Sequence, residues 1–255
     1  MNIVGIIPAR MESSRFPGKP LMEICGMPMI GHVFLRSKLC DLFTEVYVAT
    51  CNVEIYDYIT SINGKAIMTG NHHQRASDRA AEALLNIEQN NNENIDIVVM
   101  IQGDEPMILP EMISDGIQPL LNDPTTAVTN LMTIIKSKTE WENPNEVKVV
   151  VDNQKYALYF SREPIPSAKK YTERIIALKQ VCIISFKRDY LLQYCKLSPT
   201  PLEIIESVDM NRLLESGIKV KMVMTNQSTY AVDTPKDLEY VADQMKNDSL
   251  VNSYI

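Results

Sequence analysis

The sequence predicts an α/β protein built on a doubly wound, mostly parallel sheet. Two observations carry this prediction. Apolar, β-branched runs alternate with segments of helical periodicity along the N-terminal part of the chain. Polar loops rich in Pro and Gly follow the ends of two of the predicted strands. A β-α-β order of this kind favours parallel strands joined by right-handed crossovers.

The N-terminal elements follow in regular order. Strands are predicted at 2–8, 45–50, 65–69 and 96–102, and helices at 28–40 (with Pro28 in the first turn), 53–62 and 77–88. The Asn-rich stretch 89–94 is interpreted as a surface loop.

The pattern changes in the middle of the chain. Strands at 127–135, 146–152 and 156–160 have few helices between them, and residues 152–153 suit a hairpin turn. We therefore predict an inserted antiparallel region at about 127–166. A strand at 181–186, a helix at 202–215, a strand at 219–224 and a helix from 235 restore the α/β order. We expect one domain over residues 1–255.

Composition excludes some classes of protein. Against 25 basic residues stand 32 acidic ones, a net charge of −7, whereas nucleic-acid binders usually carry a basic excess. No signal peptide or run of membrane-spanning length is recognised. The five cysteines are scattered, which is typical of reduced thiols, and the three histidines share no metal-ligand spacing with them. We expect a cytoplasmic protein without nucleic-acid or membrane partners.

The loop after the first strand, PARMESSRFPGKP at 8–20, lies where α/β sheets bind ligands. It holds Arg10, Arg15 and Lys19, and such a group of cations suits a triphosphate and a leaving pyrophosphate. The loop matches neither G-x-G-x-x-G nor the P-loop pattern, which disfavours dinucleotide oxidoreductases and P-loop enzymes. The alternative is a solvated loop whose charges have no function.

Two aspartates follow apolar segments. Asp104 comes directly after the strand DIVVMIQ, and Asp233 comes after TYAV and before the helix that Pro235 begins. Carboxylates presented in this way suit Mg²⁺, which takes its other oxygens from water and phosphate. Asp233 has an alternative role, since Asp233 or Thr234 could cap the following helix.

Several motifs together carry a family resemblance. The run IIPARMESSRFPGKPL resembles the opening of the cytidylyltransferases that activate 3-deoxy-manno-octulosonate (KDO). Further similar motifs follow in order over nearly the whole chain: VAT at 48–50, SDR at 77–79, IQGDEP at 101–106, NEVKVV at 145–150, ALYFSREPIP at 157–166 and VDTPKDL at 232–238.

The resemblance implies a nucleotide-diphospho-sugar transferase type of fold, CTP and a small anionic acceptor as substrates, and Mg²⁺ as cofactor. The resemblance likewise implies a homodimer that pairs through the inserted antiparallel region, and a place in lipopolysaccharide biosynthesis. It also implies roles for individual residues. Catalysis falls to Arg10, Lys19 and Asp104; CTP binding to Pro8, Ala9, Arg10, Arg15, Lys19, Ser77 and Arg79; acceptor binding to Gln102, Arg162, Gln180 and Asp209; and metal binding to Asp104 and Asp233.

The chain departs from the family pattern mainly in the part that binds the acceptor. Gln180 and Ile184 stand where a histidine and a tyrosine are usual, and Asp209–Met210 replaces a Glu–Gln pair. Arg162 is kept, and its guanidinium fork suits an anion. Two explanations remain open: a KDO enzyme whose pocket has diverged, or a changed acceptor such as an amino-sugar acid or a phosphonate. We hypothesise that the acceptor is anionic but differs from KDO.

Two other classes compete with this interpretation. A non-catalytic nucleotide-binding protein would be expected to lack Lys19, Asp104 or Asp233, and all three are present. An enzyme that forms a nucleoside diphosphate sugar from a sugar phosphate would be expected to have a Gly-rich first loop, which the segment 8–20 is not.

Overall fold

The computed structural model describes residues 1–12, 15–170, 175–228 and 230–254. The chain forms two compact units: Met1–Ser114 together with Ser228–Ile255, and Asp115–Gln227. The predicted insertion at about 127–166 lies within the second unit. The prediction of a single domain over 1–255 stays a prediction.

Eleven strands are found in the described residues. They are β1 Ile3–Ala9, β2 Glu23–Ile24, β3 Met27–Pro28, β4 Glu45–Thr50, β5 Lys65–Met68, β6 Ile97–Ile101, β7 Val128–Ile134, β8 Lys148–Val151, β9 Ala157–Ser161, β10 Leu178–Lys187 and β11 Lys221–Met224.

Nine α-helices are found in the same part of the chain. They are α1 Met29–Lys38, α2 Val53–Ser61, α3 Ala76–Asn91, α4 Pro110–Asn122, α5 Lys138–Glu142, α6 Arg188–Lys196, α7 Pro201–Glu206, α8 Met210–Glu215 and α9 Pro235–Met245. Short 3₁₀ helices lie at Lys19–Leu21 and Ser249–Ser253. Among the helices described, none has both the length and the apolar character needed to cross a membrane.

The first unit holds a parallel sheet in the order β6-β1-β4-β5. All five residues of β6 and six of the seven in β1 are buried, which explains why these strands are continuous apolar runs. Because the strands are parallel, their carboxyl ends meet at one edge, where the loop after β1 and the segment after β6 both begin.

Antiparallel pairing dominates the second unit. Strand β10 pairs antiparallel with β7 and with β8, and β8 pairs antiparallel with β9, whereas β11 runs parallel to β7. The β8–β9 hairpin turns through residues 152–155, where Asp152 Oδ1 accepts hydrogen bonds from the N–H groups of Gln154 and Tyr156. The predicted fold class, mostly parallel with an antiparallel region, is confirmed.

Some boundaries differ from the prediction. Helix α3 continues to Asn91, so half of the predicted Asn-rich loop is helical. The helix predicted at 202–215 is divided into α7 and α8 at Ser207, which has a left-handed backbone (φ 53°). Pro28 is the N-cap of α1 rather than a first-turn residue. Helices α4, α5 and α6 were not predicted.

A buried polar cluster joins α1 to the C-terminal segment of the first unit. Arg36 is fully buried, and its guanidinium donates to Asp248 Oδ2, to Tyr254 Oη at 2.9 Å and to the carbonyl of Ile108 at 3.4 Å. His32 lies 2.9 Å from the same tyrosine oxygen, through Nδ1. Burial lowers the pKa of His32, so the ring is neutral at pH 7.

We expect Asp248→Asn to lower the free energy of unfolding by about 3 kcal/mol, because it leaves the buried charge of Arg36 without a counter-ion. Asparagine keeps the oxygen that accepts from the N–H of Leu250. Asp243→Asn is the matched control, since its pair with Lys246 is largely exposed, and about 0.5 kcal/mol or less is expected. Urea denaturation measures both; equal effects would contradict the prediction.

Candidate active site

The loop after β1 is held by backbone contacts that present Lys19. Gly18 has φ +76°, a left-handed conformation that favours glycine, and its N–H donates to the carbonyl of Met11 at 2.9 Å. The N–H of Met11 in turn donates to Asn52 Oδ1 at 3.0 Å. Asn52 thus ties the loop to the segment after β4.

Lys19 lies between the two aspartates predicted to bind metal. Its Nζ donates to Asp104 Oδ2 at 2.8 Å, to Asp233 Oδ1 at 3.2 Å and to the carbonyl of Val232 at 2.8 Å. A backbone hydrogen bond from Val232 N to the Asp104 carbonyl, 2.9 Å long, fixes the two aspartate segments side by side. Residues more than 200 positions apart in sequence therefore converge on one ammonium group.

The surroundings of Lys19 stabilise its protonated, positively charged form. Burial by itself would lower the pKa of the ammonium, but the charge and hydrogen bond of Asp104, followed by those of Asp233, outweigh it and the pKa of Lys19 is raised. Arg15 Nη2 adds a second cation, 2.9 Å from Asp233 Oδ1. The cluster therefore holds two cations against two carboxylates.

Helix α9 does not use the Asp233 side chain as its cap. Thr234 is the N-cap: its Oγ1 accepts from the N–H of Asp237 at 3.3 Å, and the Asp237 carboxylate accepts from the N–H of Thr234 at 2.8 Å. This capping box leaves the carboxylate of Asp233 turned to Lys19 and Arg15. Of the two capping alternatives raised from the sequence, the structure shows Thr234.

Arg79 and Arg10 both contact the segment after β5. Arg79 is 3% exposed, and its Nη1 donates to Thr69 Oγ1 at 2.5 Å and to the Gly70 carbonyl at 3.2 Å. Its Nη2 is buried and makes no hydrogen bond with the described residues. A buried donor of this kind fits an anionic ligand. The exposed Arg10 reaches the His73 carbonyl at 3.5 Å.

The remaining predicted residues of the first unit differ in accessibility. Pro8 and Ala9 end β1, and Gln102 is half-buried after β6. Gly103 packs closely there, since a Cβ at this position would lie 3.2 Å from the Pro8 carbonyl. Ser77 is fully buried, with its Oγ 3.8 Å from the sulfur of Met100, so its side chain offers no accessible surface to CTP in this structure.

Arg162, in the second unit, already has three backbone partners. Its Nε donates to the Glu206 carbonyl at 2.7 Å, Nη1 to Pro144 at 2.9 Å and Nη2 to Ser207 at 3.3 Å. The Glu206 carboxylate accepts from the N–H of Arg162 at 2.7 Å. A guanidinium has five N–H groups, so two remain for an anion, and acceptor binding by Arg162 stays a prediction.

Gln180 is held by a buried asparagine that the sequence analysis overlooked. Gln180 Nε2 donates to Asn130 Oδ1 at 2.6 Å. Asn130 Nδ2 donates to the carbonyls of Val181 at 2.7 Å and Ile183 at 3.1 Å, where the register of β10 shifts. The available signal was a lone asparagine within the apolar run AVTNLMTII.

The other departures from the family pattern in the second unit are mostly buried. Ile184 is 2% exposed and Met210 is fully buried, so neither offers open surface to an acceptor here. Asp209 lies at the N-cap of α8, half-buried, and its side chain makes no capping hydrogen bond.

Comparison with known proteins shows the family to which the chain belongs. The cytidylyltransferase family model matches residues 4–222. The 3-deoxy-manno-octulosonate cytidylyltransferase of Geotalea uraniireducens is 40% identical over 256 residues, which cover 96% of this chain and 100% of that protein. The enzyme of the same name from Fusobacterium nucleatum is 39% identical, and the match covers 98% of this chain and 99% of that protein.

Comparison with solved structures also identifies cytidylyltransferase-like proteins. A CMP:2-keto-3-deoxy-manno-octonic acid synthetase complexed with CTP superposes with a TM-score of 0.87 at 39% identity, covering 96% of this chain and 99% of that one. A 4-diphosphocytidyl-2C-methyl-D-erythritol synthase from Anaerococcus prevotii shares the fold, with a TM-score of 0.62 at 14% identity.

The α/β fold, the cluster of cations and carboxylates, and these comparisons place the chain in the class of α/β nucleotidyltransferases. Within that class, the chain belongs to the cytidylyltransferase family, in the 3-deoxy-manno-octulosonate cytidylyltransferase group.

Proposed function

We propose that this protein transfers CMP from CTP to the hydroxyl of KDO and releases pyrophosphate. The observation that carries the proposal is the cluster of Lys19, Asp104 and Asp233. It occurs in a chain 40% identical, over 96% of its length, to an enzyme named for this activity.

The residues of the first unit account for the donor half of the reaction. The acceptor hydroxyl oxygen forms a bond to the α-phosphorus of CTP. The bond between the α-phosphorus and the oxygen that bridges it to the β-phosphorus breaks, and pyrophosphate leaves with that electron pair. Lys19, Arg10 and Arg15 are the cations that hold the triphosphate and offset the charge that develops on the leaving group. Arg79 Nη2, which has no hydrogen-bond partner among the described residues, supports a further contact with the nucleotide. The hydroxyl proton passes to solvent, with no base assigned.

We propose Mg²⁺ as the cofactor, held by Asp104 and Asp233. The residues fit the ion, because their carboxylates already share one cation, the ammonium of Lys19, at 2.8 and 3.2 Å. Carboxylate oxygens are the ligands that Mg²⁺ prefers, and it keeps several sites for water and phosphate. When bound, the ion would polarise phosphate oxygens and orient the reactants.

The choice of CTP is tested by measuring pyrophosphate release with CTP, ATP, GTP and UTP at a fixed concentration of KDO. We expect kcat/KM for CTP to exceed the others by about a hundredfold or more, since sites that hydrogen-bond a base discriminate strongly. Equal rates with ATP and CTP would contradict the cytidylyl assignment, and no turnover with any nucleotide would favour the non-catalytic alternative.

The choice of KDO is tested by a panel of KDO, its amino analogue, a sialic-type acid and small phosphonates at fixed CTP. We expect KDO to give the highest kcat/KM, on the order of 10⁴ M⁻¹s⁻¹ or better. This expectation replaces the hypothesis drawn from the sequence that the acceptor differs from KDO, because relatives about 40% identical over nearly the whole chain are named for KDO. Gln180 and Asp209 favour the alternative of a changed acceptor, because they replace groups expected in the family. That alternative predicts a loss for KDO of about two decades, from hydroxyls left unsatisfied at about 1–3 kcal/mol each.

The proposed activity also leads to proposals for the oligomeric state of the protein and for the biosynthetic pathway in which it acts. We propose a homodimer that pairs through the second unit, supported by the exposed apolar side chains of Leu158 (62%), Ile204 (62%) and Ile205 (75%). We also propose a cytoplasmic enzyme of lipopolysaccharide biosynthesis, in which the CMP-activated acid is the product handed on.

A further inference from the structure

Two histidines on the segment between β5 and α3 lie close to a glutamate of α3. His72 and His73 precede α3, and Glu82 projects from its second turn. One ligand atom from each of the three side chains lies within 4.8 Å of those of the other two. His73 Nε2 is hydrogen-bonded to Glu82 Oε2, and the two imidazole rings lie 4.2 Å apart. None of these side chains has a place in the proposed nucleotidyl transfer.

Gly70 organises two of the three side chains. Its N–H donates to both carboxylate oxygens of Glu82 at 3.0 Å, which fixes the carboxylate in place. A Cβ on residue 70 would lie 2.5 Å from Nδ1 of His72, so a larger residue would displace the ring from its present position. The carboxylate of Glu82 is therefore anchored to the backbone beside the two histidines.

Two imidazoles and one carboxylate are the donor set of open zinc sites, in which a fourth position stays available to water. The donors differ in kind from the all-oxygen pair of Asp104 and Asp233, which suits a harder ion. We propose that His72, His73 and Glu82 form a second metal site, which binds one ion of the Zn²⁺ class per chain. At this site, the ion would replace the hydrogen bond between His73 and Glu82.

The position of the site connects it to the nucleotide-binding residues. Arg10 donates to the carbonyl of His73 at 3.5 Å, and Arg79 donates to the carbonyl of Gly70 at 3.2 Å. An ion bound at His72, His73 and Glu82 would therefore fix the backbone that these two arginines contact. The inference itself concerns binding of the ion and needs no turnover.

The test uses the full chain without nucleotide or Mg²⁺. Titration calorimetry with Zn²⁺ measures stoichiometry and affinity, and Co²⁺ absorption reports the kind of ligand. We expect one ion per chain with a Co²⁺ spectrum of nitrogen and oxygen ligands. Separate His73→Asn and Glu82→Gln variants should each weaken binding by about tenfold or more, since loss of outer-shell partners alone costs about 10–100-fold. Gly70→Ala should also weaken it, by displacing the His72 ring.

Control experiments distinguish this site from binding to cysteine thiols and from binding to general surface charge. Glu54→Gln removes an exposed carboxylate of α2 and should leave affinity unchanged. A thiolate charge-transfer band with Co²⁺ would assign the ion to cysteines such as Cys51 and overturn the proposal. Normal affinity in His73→Asn and Glu82→Gln, with folding verified by circular dichroism, would also overturn it and leave the three residues as a structural clamp.

Discussion

Replacing Lys19 by methionine is expected to lower kcat/KM for CTP by about 10²–10³-fold, because one charged donor to the developing pyrophosphate charge is lost. The same change should tighten the binding of a divalent ion in the absence of nucleotide. In the free protein the ammonium occupies the space between Asp104 and Asp233, at 2.8 and 3.2 Å from their oxygens, and it competes with any metal ion for them. Steady-state kinetics and Mn²⁺ titration followed by electron paramagnetic resonance measure the two effects.

The prediction is specific because kcat/KM should fall while the affinity for the divalent ion should rise. A variant that merely unfolds would lose both activity and ion binding. Lys65→Met is the control, since it removes a half-exposed lysine that pairs with Glu45 on the same unit, and neither quantity should change by more than about twofold. A loss of activity below tenfold in Lys19→Met would show that Lys19 serves only to neutralise the two carboxylates.

The parallel sheet could be predicted from the sequence because burial on both faces leaves an unambiguous signal. Strands β1 and β6 are continuous apolar runs, and each ends in a polar segment that begins the site. The helix boundaries were less predictable. Asparagine has a low helix propensity, yet α3 runs to Asn91, whose Nδ2 donates to Tyr47 Oη at 3.1 Å. That contact joins residues 44 positions apart and has no local signal.

Residues of the site also differ in whether the local sequence indicates them. Lys19, Asp104 and Asp233 could be singled out because each follows or lies within a recognisable motif. The parallel topology brings the segments after β1 and β6 together, with Lys19 and Asp104. Asp233 directly follows none of the described strands, and the hydrogen bond from Val232 N to the Asp104 carbonyl brings it there without a local signal. The pairing of Gly70 with Glu82, 12 positions along the chain, could not be found, since it depends on how α3 packs. The support of Gln180 by Asn130 depends likewise on an irregular register in β10.

The expected result for Asp104→Asn and Asp233→Asn is a rise of about tenfold or more in the Mg²⁺ concentration that gives half-maximal activity. Asparagine keeps the shape of the side chain and removes a negatively charged oxygen ligand, which weakens a hard cation site. The fold should survive, because the cap of α9 is made by Thr234 and Asp237 and does not use the Asp233 carboxylate. Rates measured across a Mg²⁺ titration, together with thermal unfolding, test both statements.

Thr234→Ala is the matched control at the adjacent position, and its effects should be the reverse. Loss of the capping hydroxyl is expected to cost about 1 kcal/mol of stability, while the Mg²⁺ dependence stays normal. If Asp233→Asn instead lowered stability and left the Mg²⁺ dependence unchanged, Asp233 would be a structural residue of the helix terminus. In that case Asp104 alone would remain as a protein ligand, and the metal would depend on substrate phosphates for most of its negative ligands.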